Sequence, residues 1–250
     1  MSGAAKDGIV LVTGAGVRVG AAIARRLAGE GWTIAAHYRR SKDAAAALAE
    51  ELGAGAFAVG GDLDDQAAID AMAAEIGRAG RRWAGVVNCA ASFEYDSIAD
   101  FSFDKALASL RTNLVAPVYL ACALARAEAA GDRFVINIAD QKITNPNPDF
   151  LSYTLAKLTL AHATDTLAMA LAPGIRVNCV APGLMLISGA QTPENFARTH
   201  PRTALGRGTT PDDLAGAVAY LAGASAVTGA LLTVDCGQHL VRAARDVMFE

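Results

Sequence analysis

Residues 8–20 read Gly-Ile-Val-Leu-Val-Thr-Gly-Ala-Gly-Val-Arg-Val-Gly, and this stretch decides the fold. Its first half is a short apolar run that predicts a buried strand. Its second half is a glycine-rich turn, Gly14, Gly16 and Gly20, that opens an amphipathic helix with Val19, Ile23 and Leu27 on one face. A turn of that kind brings bare backbone N–H groups and a helix N-terminus to one point. Both favour a phosphate. The spacing differs from the G-x-G-x-x-G of dinucleotide-binding turns, so position after the first strand carries the reading.

Outward from there the pattern repeats. Strands are predicted at 32–38, 56–61, 84–90, 133–139, 175–181 and 230–235. Helices are predicted over 44–52, 65–78, about 104–127, about 150–171 and 211–222, and the stretch 183–210 reads as irregular. The strands are continuous apolar runs rather than alternating ones, as a parallel sheet covered on both faces requires. Strand and helix alternation with right-handed crossovers predicts an α/β, Rossmann-like doubly wound sheet of about seven strands. No linker interrupts residues 1–250, so one domain is expected, with 183–210 as a substrate loop.

Composition excludes other classes. The chain has 250 residues, 53% hydrophobic and 19% charged, with net charge -3. That is too apolar for disorder and has no basic stripe for nucleic acid. No signal peptide or span of roughly 20 uninterrupted apolar residues is read, so no membrane partner and a cytoplasmic location are expected. Cys89, Cys122, Cys179 and Cys236 are scattered without metal-ligand spacing, so no metal is expected.

Strand two ends His37-Tyr38-Arg39-Arg40-Ser41. An acid there would take a ribose hydroxyl; two guanidiniums and a hydroxyl suit a 2′-phosphate instead, which points to NADPH. Tyr153 and Lys157 stand four apart on one predicted helix and so share a face. An ammonium beside a tyrosine favours phenolate, so a lowered Tyr153 pKa is expected, which suits acid–base work. Loop residues Tyr95 and Asp96 are further candidates for substrate contact.

With these pieces together the sequence resembles the short-chain dehydrogenase/reductase family along nearly its whole length. The resemblance rests on TGAGVRVG, Asp62-Leu63, Asn88-Cys89-Ala90, Asn113, Tyr153 with Lys157, Pro182-Gly183 and the closing VDCG. It implies that Tyr153 is the acid, that Lys157 binds the nicotinamide ribose, and that Asn113 holds a relay water. It implies cofactor contacts from Gly14, Arg18, Val19, His37, Asp62, Leu63, Asn88, Ala90, Tyr153, Lys157, Pro182 and Gly183, and a homotetramer. One position departs from the family. Where a serine normally ends strand five, this chain has Asp140. A carboxylate repels a developing alkoxide but can pair with ring N–H groups. Asp140, Arg18, the H-Y-x-R-S ending and Ala90-Ala91-Ser92-Phe93 resemble pteridine reductases and dihydromonapterin reductases. That likeness implies a small-molecule pterin substrate held by Arg18, Phe93, Asp140 and Tyr153, with Phe93 stacking on its ring. Two other readings stand beside it: a carbonyl or 3-oxoacyl reductase of the same family, and a non-catalytic NADP(H)-binding sensor.

Overall fold

In a computed structural model of the chain, strand β1 (Ile9–Val12) lies inside a seven-stranded sheet of order β3-β2-β1-β4-β5-β6-β7. The structure describes residues 6, 8–127 and 129–249; Met1 to Ala5, Asp7, Glu128 and Glu250, which the one-domain expectation includes, lie outside the described residues. The other strands are β2 (Thr33–Tyr38), β3 (Phe57–Gly60), β4 (Trp83–Asn88), β5 (Arg133–Ile138), β6 (Ile175–Pro182) and β7 (Leu231–Val234). Every neighbouring pair is parallel.

Side chains of a strand point alternately to opposite faces. Val10 and Val12 therefore pack into one core with Ile23 and Leu27 of α1 (Arg18–Gly29) and Val218 of α8 (Pro211–Gly223). Ile9 and Leu11 pack into the other with Met72 and Ile76 of α3 (Gln66–Arg78) and Leu120 and Leu124 of α5 (Ala116–Arg126). Helices cover both faces, which is why the strands read as unbroken apolar runs. The remaining helices are α2 (Lys42–Leu52), α4 (Phe103–Leu110), α6 (Leu151–Leu171) and α7 (Pro193–Thr199).

Two predicted elements differ. The long helix over 104–127 is α4 and α5 joined by a π-helical segment, Arg111–Val115. Periodicity does not register one inserted residue. The stretch 183–210 is not wholly irregular, because it contains α7, capped by Thr192, whose hydroxyl accepts from Asn195 N at 3.1 Å. The helical stretch Phe103–Arg126 is long and apolar enough to cross a membrane by length and composition alone. Here α5 packs on β4 and α3.

Neighbouring β1 and β4 are consecutive in space but not in sequence. The chain leaves β1 toward one edge and leaves β4 toward the other. Open α/β sheets hold ligands outside the carboxyl ends of the strands at such a switch point.

Candidate active site

The turn after β1 is held from three sides. Buried Thr13 accepts hydrogen bonds from Cys89 N and Ala90 N, both at 2.9 Å, and so joins the ends of β1 and β4. Gly14 has φ +67°, and a Cβ there would lie 3.2 Å from Ala90 Cα. A Cβ on Gly20 would run into the Gly14 carbonyl. The glycines thus allow the turn to close on the first helix and on β4. Gly14 N donates to His37 Nδ1 at 3.1 Å, and His37 Nε2 donates to Gly61 O at 3.0 Å. Both ring nitrogens of buried His37 are therefore taken by backbone. The ring braces the cradle, whose neighbouring cavity His37 also lines, and burial lowers its pKa, offset in part by the Gly61 bond.

A cavity of about 220 Å³ opens beside the turn, lined by Gly14, Gly16, Tyr38, Arg39, Arg40 and Ser41 among others. Arg39 lies 3.8 Å from Asp62, and Asp62 Oδ1 also accepts from Asp64 N. Leu63 is buried in the second core, so its side chain faces the sheet rather than this opening. Two cations and a hydroxyl around an open cavity fit a nucleotide phosphate. Replacing Arg39 and Arg40 together by Ala should weaken NADPH binding by about 10- to 100-fold for each charge-assisted bond lost. NADH affinity should hold, and titration of both nucleotides checks the difference.

A second cavity, about 400 Å³, joins the turn to the catalytic candidates. Arg18, Val19, Phe93, Asp140, Tyr153, Lys157, Pro182 and Gly183 all line it. Arg18 has φ +53°, and its guanidinium donates to Ile187 O at 2.7 Å, bridging the turn and the stretch 183–210. Gly183 is required by a close approach, since a Cβ would meet Gln238 Oε1 at 2.8 Å.

Tyr153 and Lys157 share one face of α6, as their spacing requires. Tyr153 Oη donates to Asp140 Oδ2 at 3.0 Å. Lys157 Nζ donates to Ile138 O at 2.7 Å and stands 5.7 Å from the Tyr153 ring centre. The expected lowering of the tyrosine pKa is corrected here. Burial pushes Tyr153 well above its ordinary value, and the Asp140 charge adds to the rise. Burial also raises Asp140, against the Lys142 N–H, the Lys142 charge and the Tyr153 hydroxyl. Lys157 is lowered by burial, with Asp140 opposing.

Other residues take structural posts. Asn113, fully buried in the π segment, accepts from Ser92 N at 3.2 Å and donates to Ser92 O at 2.9 Å and to Ser109 Oγ at 3.2 Å. Its side chain clamps the strand-four loop. Asn88 Nδ2 donates to Asn137 Oδ1 at 2.9 Å, within the sheet, and Ala90 packs against the second core. Phe93 stacks on Phe150 at 4.0 Å and meets the Tyr153 ring edge-on at 4.7 Å.

Asp96 is buried, not a surface substrate contact. Its carboxylate accepts from Ser152 N at 3.0 and 3.2 Å and from the Ser152 hydroxyl, and its carbonyl accepts from Leu151 N at 3.2 Å. It caps α6, whose own preceding residue, Phe150, has φ +55° and offers no side-chain cap. Nothing in the spacing of a cap 56 residues upstream marks it in the sequence. Among the described residues no group of three or more His, Cys, Asp or Glu is placed to hold a metal ion.

A parallel sheet with a glycine cradle at its switch point, and a buried Tyr–Lys pair across the same cavity, defines an NADP-dependent oxidoreductase. The chain belongs to the short-chain dehydrogenase/reductase family: residues 14–239 match the family described as enoyl-(acyl carrier protein) reductase. The chain is 34% identical to 3beta-hydroxysteroid dehydrogenase 1 of Eggerthella lenta, over 94% of this chain and 95% of that one. It is 30% identical to pteridine reductase 1 of Leishmania tarentolae, over 94% and 97%. A crystal structure of FolM alternative dihydrofolate reductase 1 from Brucella canis complexed with NADP superposes with a TM-score of 0.91 at 34% identity, covering 97% of this chain and 98% of that one. The cofactor is NADP(H).

Proposed function

We propose that this reductase acts on a dihydropteridine, reducing a C=N bond of a pterin or folate-type ring. The observation that carries the reading is Asp140 at the end of β5, buried and bonded to the Tyr153 hydroxyl. Similarity to a pteridine reductase and to FolM proteins supports it. A carboxyl at this position suits a nitrogen heterocycle, whereas it would oppose the alkoxide of a ketone reduction.

NADPH supplies the hydride when bound. The chain's own residues do the rest. Arg39, Arg40 and Ser41 hold the 2′-phosphate, and Arg18 reaches from the cradle toward the substrate. Phe93, backed by Phe150, offers its free face to the ring. Tyr153 Oη delivers a proton to the ring nitrogen next to the carbon that gains hydride. Asp140, 3.0 Å away, then takes up a proton from solvent and passes it to the phenolate Oη, which restores the starting state. Lys157 stabilises the phenolate between the two transfers. In this reading one domain, 1–250, carries both sites, and the working form is a cytoplasmic homotetramer.

The test is NADPH oxidation against dihydropterins, small ketones and acyl thioesters. Asp140→Ser should lose pterin turnover by about 10²-fold or more while NADPH still binds. Unchanged pterin turnover in that variant removes Asp140 from the mechanism. Ketone or thioester reduction without pterin reduction turns the reading to a carbonyl or 3-oxoacyl reductase. NADPH binding with no turnover leaves a sensor.

A further inference from the structure

The segment 245–249 runs back to the cavity. Asp246 and Val247 line it, together with Lys142, two residues beyond Asp140. Lys142 Nζ lies 2.7 Å from Asp246 Oδ2, with the two side chains 3% and 12% exposed. Nζ also donates to Asp149 O at 3.1 Å. Arg245 grips the Asp149 carboxylate through two 2.8 Å bonds, and Asp246 N donates to it at 2.8 Å. Asn195 of α7 donates to Val247 O at 3.1 Å. Phe249 meets the Tyr95 ring at 5.2 Å.

Exposed ion pairs hold little, but a buried pair that loses one member leaves a charge without compensation. The Lys142–Asp246 pair is of the second kind. It ties residues 245–249 to the turn that carries Asp140, and Arg245 ties them to the entry of α6. None of these partners belongs to the glycine turn or to the Arg39–Ser41 cluster. The segment therefore bounds the substrate side of the cavity and leaves the cofactor cradle alone.

We propose that residues 245–249, pinned by the Lys142–Asp246 pair, form the size-selecting wall of the substrate site. A ring with a short substituent fits inside it; a ring with a long substituent meets Val247. Discrimination of this kind comes from a clash that the wall cannot relieve without breaking its anchors. The choice of test substrates rests on the pteridine reading above.

The experiment measures kcat/KM of the full chain with NADPH for dihydrobiopterin, which has a short side chain, and dihydrofolate, which has a long one. Asp246→Asn and Lys142→Met should each lower the preference for the small substrate by about tenfold or more. The NADPH dissociation constant should not change. Asp246→Glu should restore the preference. Faster trypsin cleavage at Arg245 reports release of the segment. Val247→Ala should lower the preference and Val247→Trp raise it, which keeps the test open if a pair variant does not fold. An unchanged preference in a variant whose segment is released overturns the wall, as does a change matched by equal loss of NADPH affinity. If the unaltered chain reduces neither pteridine, the pteridine reading fails by itself. The same ratio is then read with cyclohexanone and a steroid 3-ketone. A ratio unmoved by the variants there, or no turnover of either ketone, overturns the wall.

Discussion

Tyr153→Phe should lower kcat by about 10²–10⁴-fold, the usual range for loss of a positioned acid. The ring remains, so its edge-on contact with Phe93 and the packing of α6 remain, and NADPH should bind as before. Only the hydroxyl bonded to Asp140 is lost. The pH profile adds a second measurement. Because burial raises the Tyr153 pKa, the hydroxyl keeps its proton through the ordinary tyrosine range. The alkaline limb of kcat/KM at saturating NADPH should therefore fall above about pH 10. A limb near neutrality in the parent enzyme, or a Phe variant with full kcat, removes Tyr153 as the acid.

Asp96→Ala should be the most damaging change outside the cavity. It strips a buried hydrogen-bond acceptor from Ser152 N and the Ser152 hydroxyl at the start of α6. Each unsatisfied buried group costs about 1–3 kcal/mol, and a negative charge at a helix N-terminus is lost as well. At about 2–4 °C of melting temperature per kcal/mol for a chain of this size, the loss is several degrees in a thermal melt. The activity consequence follows from position. Ser152 adjoins Tyr153, and the loop bearing Asp96 also bears Phe93. Both walls of the cavity should loosen together, and kcat should fall with stability. Asp96→Asn keeps an acceptor and should recover most of both. An Ala variant that melts with the parent leaves the cap without consequence.

How much of this was legible in the sequence depends on whether the signal was local. Continuous apolar runs such as Ile9–Val12 place strands without reference to anything distant, and the seven-stranded parallel sheet followed from them. Tyr153 and Lys157 are visible because a helix converts a spacing of four into a shared face. The cradle glycines are visible because a turn must follow the first strand. What could not be read are contacts between segments far apart in the chain. Asp96 capping α6, Thr13 bridging to Cys89 and Ala90, and the Lys142–Asp246 pair have no periodicity to announce them. The tyrosine pKa runs opposite to what its spacing from Lys157 suggests, for a similar reason. Spacing put Lys157 near Tyr153, but only three dimensions put Asp140 nearer and both groups out of water.

The bracing of Gly14 by His37 bears on how the enzyme's kinetics should be interpreted. The ring accepts from Gly14 N on one nitrogen and donates to Gly61 O on the other, so it must be neutral. Its folded pKa is depressed by burial, so the stability it contributes is present above about pH 6.5 and is lost as pH falls through the folded value. A second proton would face the Gly14 N–H and turn that contact repulsive. The NADPH Michaelis constant should then rise in acid while turnover at saturating cofactor does not change with it. An experimenter who fits that limb to Asp140 or Tyr153 would be reading the ionisation of the brace behind the glycine turn.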